Sequence, residues 1–133
     1  MHPEEAAFQA ALDKDPADKN ARLAFADWLR DRDDPRAAGH QWMAESGMRM
    51  WSFAMGSTAG VHDHWCWGKI TGTTKQNKKT FARSLLRDAL FLAVRKRSVN
   101  EGRSEWWTFF PSRREAEDAL ALAYLEVYGA RQA

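Results

Sequence analysis

The stretch LAFADWLRDRDDPRA, Leu23 to Ala37, runs an apolar stripe through a charged background and then closes on Asp-Asp-Pro. Ala21, Ala24, Phe25, Trp28 and Leu29 stand at i, i+3, i+4, i+7 and i+8, one buried face of a helix over about Ala17–Arg32. The run RDDP ends that helix. Asp34 then suits an N-cap and Pro35 the first helical position, so a further helix is expected over about Pro35–Met50, weakened by Gly39 and Gly47. Upstream, Pro3, Glu4 and Glu5 fit a first turn, while Phe8, Ala11 and Leu12 share a face, which predicts a helix over about Pro3–Asp13. Asp15 before Pro16 breaks it. The N-terminal third therefore reads as two or three packed helices.

The span Phe8–His40, FQAALDKDPADKNARLAFADWLRDRDDPRAAGH, resembles the repeat-companion domain, a short bacterial module. The likeness rests most specifically on Arg22, Phe25, Ala26, Asp27, Trp28, Leu29, Asp34, Pro35 and Arg36. Arg30 stands where that family favours Glu, and Asp33 where it favours Gly. Asp tolerates a left-handed backbone better than most residues, so a helix stop at Asp33 stays feasible at some cost. The resemblance implies a helical unit over residues 3–50. It brings no catalytic residue, because the family has no established enzymatic activity. Asp27 beside Trp28 has no convergent His, Lys or metal ligand, which favours a structural pair over a catalytic one.

Beyond residue 50 the pattern changes. WSFAMGSTAG, Trp51–Gly60, reads as an irregular connection, and VHDHWCWGKIT alternates as a strand over about Val61–Thr71. A helix is expected over about Lys78–Arg97, with Phe81, Leu85, Leu86, Ala89, Leu90 and Val94 on its apolar face. WWTFF is strongly β-prone and is stopped by Pro111. The last helix carries a Ser112–Glu115 capping box, a stripe from Ala116 to Val127, and Gly129 as its expected stop. Together these predict one α+β domain over 1–133, with a helical unit 3–50 and a small α+β unit 51–133. Its sheet, chiefly Val61–Thr71 and Glu105–Phe110, would be covered on one face by the helices Lys78–Arg97 and Ser112–Tyr128. Two strands alone are marginal, so a third from Met50–Ala54, or pairing across a homodimer, is expected.

Composition narrows the classes. A chain of 133 residues, 44% hydrophobic and 29% charged, fits one globular domain and not a disordered chain. A lone cysteine, Cys66, excludes an internal disulfide framework and suits a reducing compartment. The acidic start is unlike a signal peptide, and no window approaches the roughly 18 apolar residues of a membrane span. A cytoplasmic protein without membrane partners is expected. Seven tryptophans are an excess for this length. The net charge of +2 hides segregation: seven basic and ten acidic groups over residues 1–50 give −3, and ten basic and two acidic groups over 69–103 give +8.

Three local features bear on function. Lys75, Lys78, Lys79, Arg83, Arg87, Arg95, Lys96 and Arg97 form a candidate basic surface, in which Lys79, Arg83 and Arg87 repeat at helical spacing. Lys78 and Lys79 fall in a first turn, where the helix dipole disfavours each by about 0.3–1 kcal/mol. An anion held by the turn's amides with Thr73 and Thr74 would offset that. Trp65 and Trp67 could supply stacking surfaces for a nucleic acid. The opposing reading is a solvated face attracted to the acidic N-terminal third. His62, His64 and Cys66 alternate along one strand and have zinc-ligand chemistry, but no second cluster supplies a fourth ligand. A Cys–His nucleophile from the same residues has less support than the metal. No catalytic constellation emerges. The expectation is a small non-enzymatic protein-interaction or adaptor module, with a nucleic-acid- or phosphate-binding protein as the alternative and a zinc-binding protein as the second. No cofactor other than zinc is implied.

Overall fold

The computed structural model describes residues 1–57, 60–69, 89–98 and 110–132, with side chains at 1–48, 89–98 and 110–129. Helix α1 (Pro3–Lys14) starts at His2, whose Nδ1 accepts the Glu4 amide at 3.1 Å. Helix α2 (Lys19–Asp31) is capped by Asp18, which accepts from the Ala21 amide at 3.0 Å. Its end falls where the sequence places it, with Asp33 in the left-handed region at φ 54°. Asp34 does not cap the next helix directly. Its carboxylate accepts the Arg36 amide at 2.9 Å and holds Pro35–Arg36 as a turn, so α3 (Ala37–Ser46) begins two residues later than expected. Gly47, left-handed at φ 74°, stops α3 before residue 50.

Strands β1 (Met48–Ser57) and β2 (Gly60–Lys69) follow as an antiparallel ribbon, in register from Met48 opposite Lys69 to Ser57 opposite Gly60. Helix α4 (Ala89–Lys96) and the long α5 (Arg113–Gln132) complete the described elements. Ser112 Oγ accepts the Glu115 amide at 3.2 Å, one half of the expected capping box. Gly129 does not end α5, which runs on to Gln132; among the described residues only Gly47 is a glycine with positive φ. No helix among the described residues is long and apolar enough to cross a membrane.

The expected α+β class is overturned. The packed body is helix on helix, with five helices among the described residues and Met48, at the start of the ribbon, sharing in its core. Leu12, Phe25, Leu29 and Ala37 make one core where α1, α2 and α3 meet. Met43, Leu90, Phe91, Val94, Ala116 and Leu120 make the other, joining α3, α4 and α5. The β1–β2 ribbon has two strands among the described residues and touches α3 and α5. The strand expected from Met50–Ala54 is present within β1, and Trp51–Gly60, read as irregular, is strand as far as Ser57, because Met50, Trp51 and Phe53 are β-compatible and find a partner strand. Phe110, expected in a strand, is buried among the helices at 3% exposure. Residues 105–109 and 78–88 of the other expected elements lie outside the described residues.

Gly39 is more than a weak point in α3. A Cβ there would lie 2.4 Å from Ala121 Cα, so α3 and α5 cross at near backbone contact. The roughly 1 kcal/mol that glycine costs a helix is exchanged for that approach. It is this crossing that brings α5 over the N-terminal helices and sets up the charged cluster between them.

Candidate functional site

Arg22 lies on the buried side of α2, three, four and seven residues before Phe25, Ala26 and Leu29. A charge carried inward on that stripe needs a partner, because an unpaired buried ion is prohibitively costly. Glu117 of α5 supplies it: Nη1 donates to Oε1 at 3.0 Å and Nη2 to Oε2 at 2.8 Å, a bidentate fork between side chains 2% and 1% exposed. Nη2 also reaches the Pro16 carbonyl at 3.0 Å. Arg113, one turn before Glu117, donates from Nη1 to the same carboxylate. Its remaining donors hold α1, through Asp13 at 2.9 Å and the Gln9 side chain at 2.7 Å. One carboxylate thus ties α1, α2 and α5 together.

A second cluster adjoins the first. Arg36 bonds Asp34 through Nε and Nη2 at 3.0 Å each, Glu5 at 3.0 and 3.1 Å, and Asp118 at 3.1 Å. The Asp34 bond first, then Glu5 and Asp118, holds the guanidinium protonated above its ordinary value against the opposing effect of burial. In return, Arg36 holds Glu5 and Asp34 below the usual carboxylate range. His40 lies between the two clusters and is fully buried. Its Nδ1 sits 3.1 Å from Arg22 Nη1 and can only accept there, which assigns the ring proton to Nε2. That Nε2 has no hydrogen-bond partner among the described residues; Asp118 Oδ1, at 3.9 Å, is out of reach. Burial pushes the imidazole pKa below its ordinary value, and the neighbouring Arg22 charge acts in the same direction.

The cavity beside Arg22, walled by Pro16, Lys19, Met43 and Met48 among others, holds about 10 Å³, room for one water. These groups bond one another, and nothing substrate-sized fits between them. A wider, open groove of about 390 Å³ runs along α5, with Phe110, Pro111, Ala119 and Leu122 as apolar lining and Arg97, Glu115 and Asp118 as charged lining.

The sites expected from sequence fall elsewhere. Trp28 is half-buried against Phe8 and Phe25, donates from Nε1 to Glu4 at 2.7 Å, and lies under the Arg32 guanidinium. Asp27 is 76% exposed and pairs with Arg30 at 2.9 Å. Both are structural neighbours on α2. Arg97 bonds Glu126 at 2.8 Å and lowers that carboxyl's pKa; Lys96 is exposed and Arg95 half-buried. Lys75, Lys78, Lys79, Arg83 and Arg87 lie outside the described residues. His62, His64 and Cys66 occupy alternate positions of β2 opposite Met55, Phe53 and Trp51, and Trp65 and Trp67 stand opposite Ser52 and Met50. The side chains of these five are not among those described. Among the described residues no three His, Cys, Asp or Glu side chains form a group able to hold a metal. Sequence reasoning missed Arg22, His40, Arg113, Glu117 and Asp118 as a cluster. The available signal was a charge on each of two apolar stripes, Arg22 on α2 and Glu117 between Ala116 and Leu120 on α5.

No protein-family model, curated protein or solved structure matches the chain.

Proposed function

We propose that the chain is a small non-enzymatic interaction module whose N-terminal helices and α5 form one charge-stapled platform. The observation that carries this reading is the closure of the buried cluster: Arg22, Arg113, Glu117 and His40 are buried, and the cavity that Arg22 lines holds about 10 Å³. Acid–base or nucleophilic work needs such groups facing a cleft. The open groove along α5 has the mixed apolar and charged lining of a protein contact. The resemblance of Phe8–His40 to the repeat-companion domain supports the same reading. The test is capture from the native host with tagged chain, after nuclease treatment, at two salt concentrations. A protein retained in stoichiometric amount at both is the expected outcome; recovery of nucleic acid alone before nuclease treatment, and nothing after it, overturns the reading.

A second reading, nucleic-acid or phosphate binding by the basic Lys69–Arg103 segment, gains from one observation. Four of the ten acidic groups over residues 1–50, its expected internal counter-charge, are engaged elsewhere: Glu5 and Asp34 on Arg36, Asp13 on Arg113, Asp27 on Arg30. Affinity for single-stranded DNA or RNA that drops steeply with salt supports this alternative; weak, salt-independent retention removes it. Elemental analysis of chelator-free protein decides the zinc reading of His62, His64 and Cys66, which stands only if zinc co-purifies.

A further inference from the structure

His40 lies fully buried where α2, α3 and α5 meet, bonded to Arg22 on one ring nitrogen and, among the described residues, to nothing on the other. We propose that His40 is a proton-operated release, whose protonation loosens α5 from the N-terminal helices. The device follows from the bond at Nδ1. That nitrogen accepts from Arg22 Nη1 at 3.1 Å, and a proton added there sets one N–H against another and one cation against a second. Relief requires Arg22 to move, and the same guanidinium forks Glu117, the bond between α2 and α5.

The groups around the ring decide the sign. Arg22 faces it from α2, Glu117 and Asp118 from α5, Asp34 and Arg36 from the turn entering α3, and the Phe25 ring packs edge-on at 4.8 Å. Glu5 of α1 acts only through Arg36. Glu117 and Asp118 favour a cation here, but both Glu117 oxygens are taken by guanidinium groups. Asp118 Oδ1 is held by Arg36 and stands 3.9 Å from Nε2. Burial and Arg22 prevail, and the docked imidazole stays neutral where a free one would be charged. Released His40 titrates near the ordinary 6.5, so the loosened state binds the extra proton. Docking is therefore strongest above that pH and weakens as pH falls below it, by up to about tenfold per pH unit for one proton. Glu5 and Asp34 lose their Arg36 bonds only below their ordinary 4.5 and 3.8, below the window in which His40 acts.

Amide exchange in α2 and α5 of the full chain, corrected for intrinsic pH dependence, tests this against His40→Gln, which keeps an acceptor for Arg22 and cannot take the proton. Protection in the native chain should fall by up to about tenfold per unit below pH ~6.5, and stay level in the variant until the carboxylates titrate. The histidine ring resonances of the native chain give a second readout that needs no variant: His40 should take up its proton only together with the loss of protection. Level protection in the native chain overturns the proposal, as does an equal fall in the variant, which would assign the effect to another histidine. A His40 ring that titrates near or above 6.5 with α2 and α5 still protected also overturns it.

Discussion

Glu117→Gln keeps the side chain's shape and removes the one negative charge that sits between two buried guanidinium groups. Arg113 retains Asp13 at 2.9 Å, but Arg22 is left with the Pro16 carbonyl and the His40 ring, neither of them charged. At ~4 Å and an effective dielectric of ~20, a single charge pair is worth about 4 kcal/mol. Removing one partner of a buried pair typically costs about 3–5 kcal/mol, because the other charge stays buried. We expect a loss of that size, a large part of the roughly 5–15 kcal/mol that holds a domain folded. For a chain of this length it lowers Tm by on the order of 10–25 °C. Urea unfolding followed by circular dichroism measures it, and a cycle with Arg22→Met and Glu117→Leu separates the pair from its surroundings. The double variant should lose at least about 2 kcal/mol less than the two single losses added together. A Glu117→Gln loss below about 1 kcal/mol, the range of an exposed ion pair, refutes the buried-staple account.

Other perturbations probe separate parts of the same architecture. Gly39→Ala should destabilise by about 1–3 kcal/mol despite alanine's better helix propensity, since its Cβ meets Ala121 backbone at 2.4 Å; a raised Tm would mean that α3 and α5 do not touch. Asp33→Gly should raise stability by about 0.5–1 kcal/mol, because glycine adopts the φ of 54° freely; a lower melting temperature contradicts that assignment. Arg36→Lys keeps the charge but loses the planar fork that spans Asp34, Glu5 and Asp118, so about 1–3 kcal/mol should be lost in denaturant titration. In the same variant the Glu5 carboxyl should titrate closer to its ordinary value, which carbon-detected NMR reads directly.

Local signals reached the local structure. The α2 helix, the stop at Asp33 and the bond from Ser112 to the Glu115 amide each follow from a few neighbouring residues, but the buried face of α2 is Arg22, Phe25, Ala26 and Leu29, with Ala24 of the expected stripe exposed. The fold class was not legible, because alternation in VHDHWCWGKIT specifies a strand but not its partner. The partner is Met48–Ser57, which contains the strand expected as a third from Met50–Ala54, and Phe110 from the expected second strand is used as core between helices. Gly39 shows the same limit: its cost to α3 is visible in the sequence, and its benefit exists only once Ala121 lies against it.

The charged cluster was half legible. Arg22 on an apolar stripe of α2 and Glu117 on an apolar stripe of α5 each break the local pattern, and two opposite charges that must both be buried have strong reason to meet. Helical periodicity cannot pair residues 95 apart, so the meeting needs the α3–α5 crossing to be known first. The same pairing changes how the segregated charge is read. Seen as blocks, the acidic N-terminal third is the natural mate of the basic middle. Seen residue by residue, Glu5, Asp13 and Asp34 already serve Arg36 and Arg113. These three carboxylates of the acidic block are therefore held by arginines within it and at the start of α5. Partners for the +8 of residues 69–103 must be sought apart from these three carboxylates, and Arg97 on Glu126 of α5 is one such pairing.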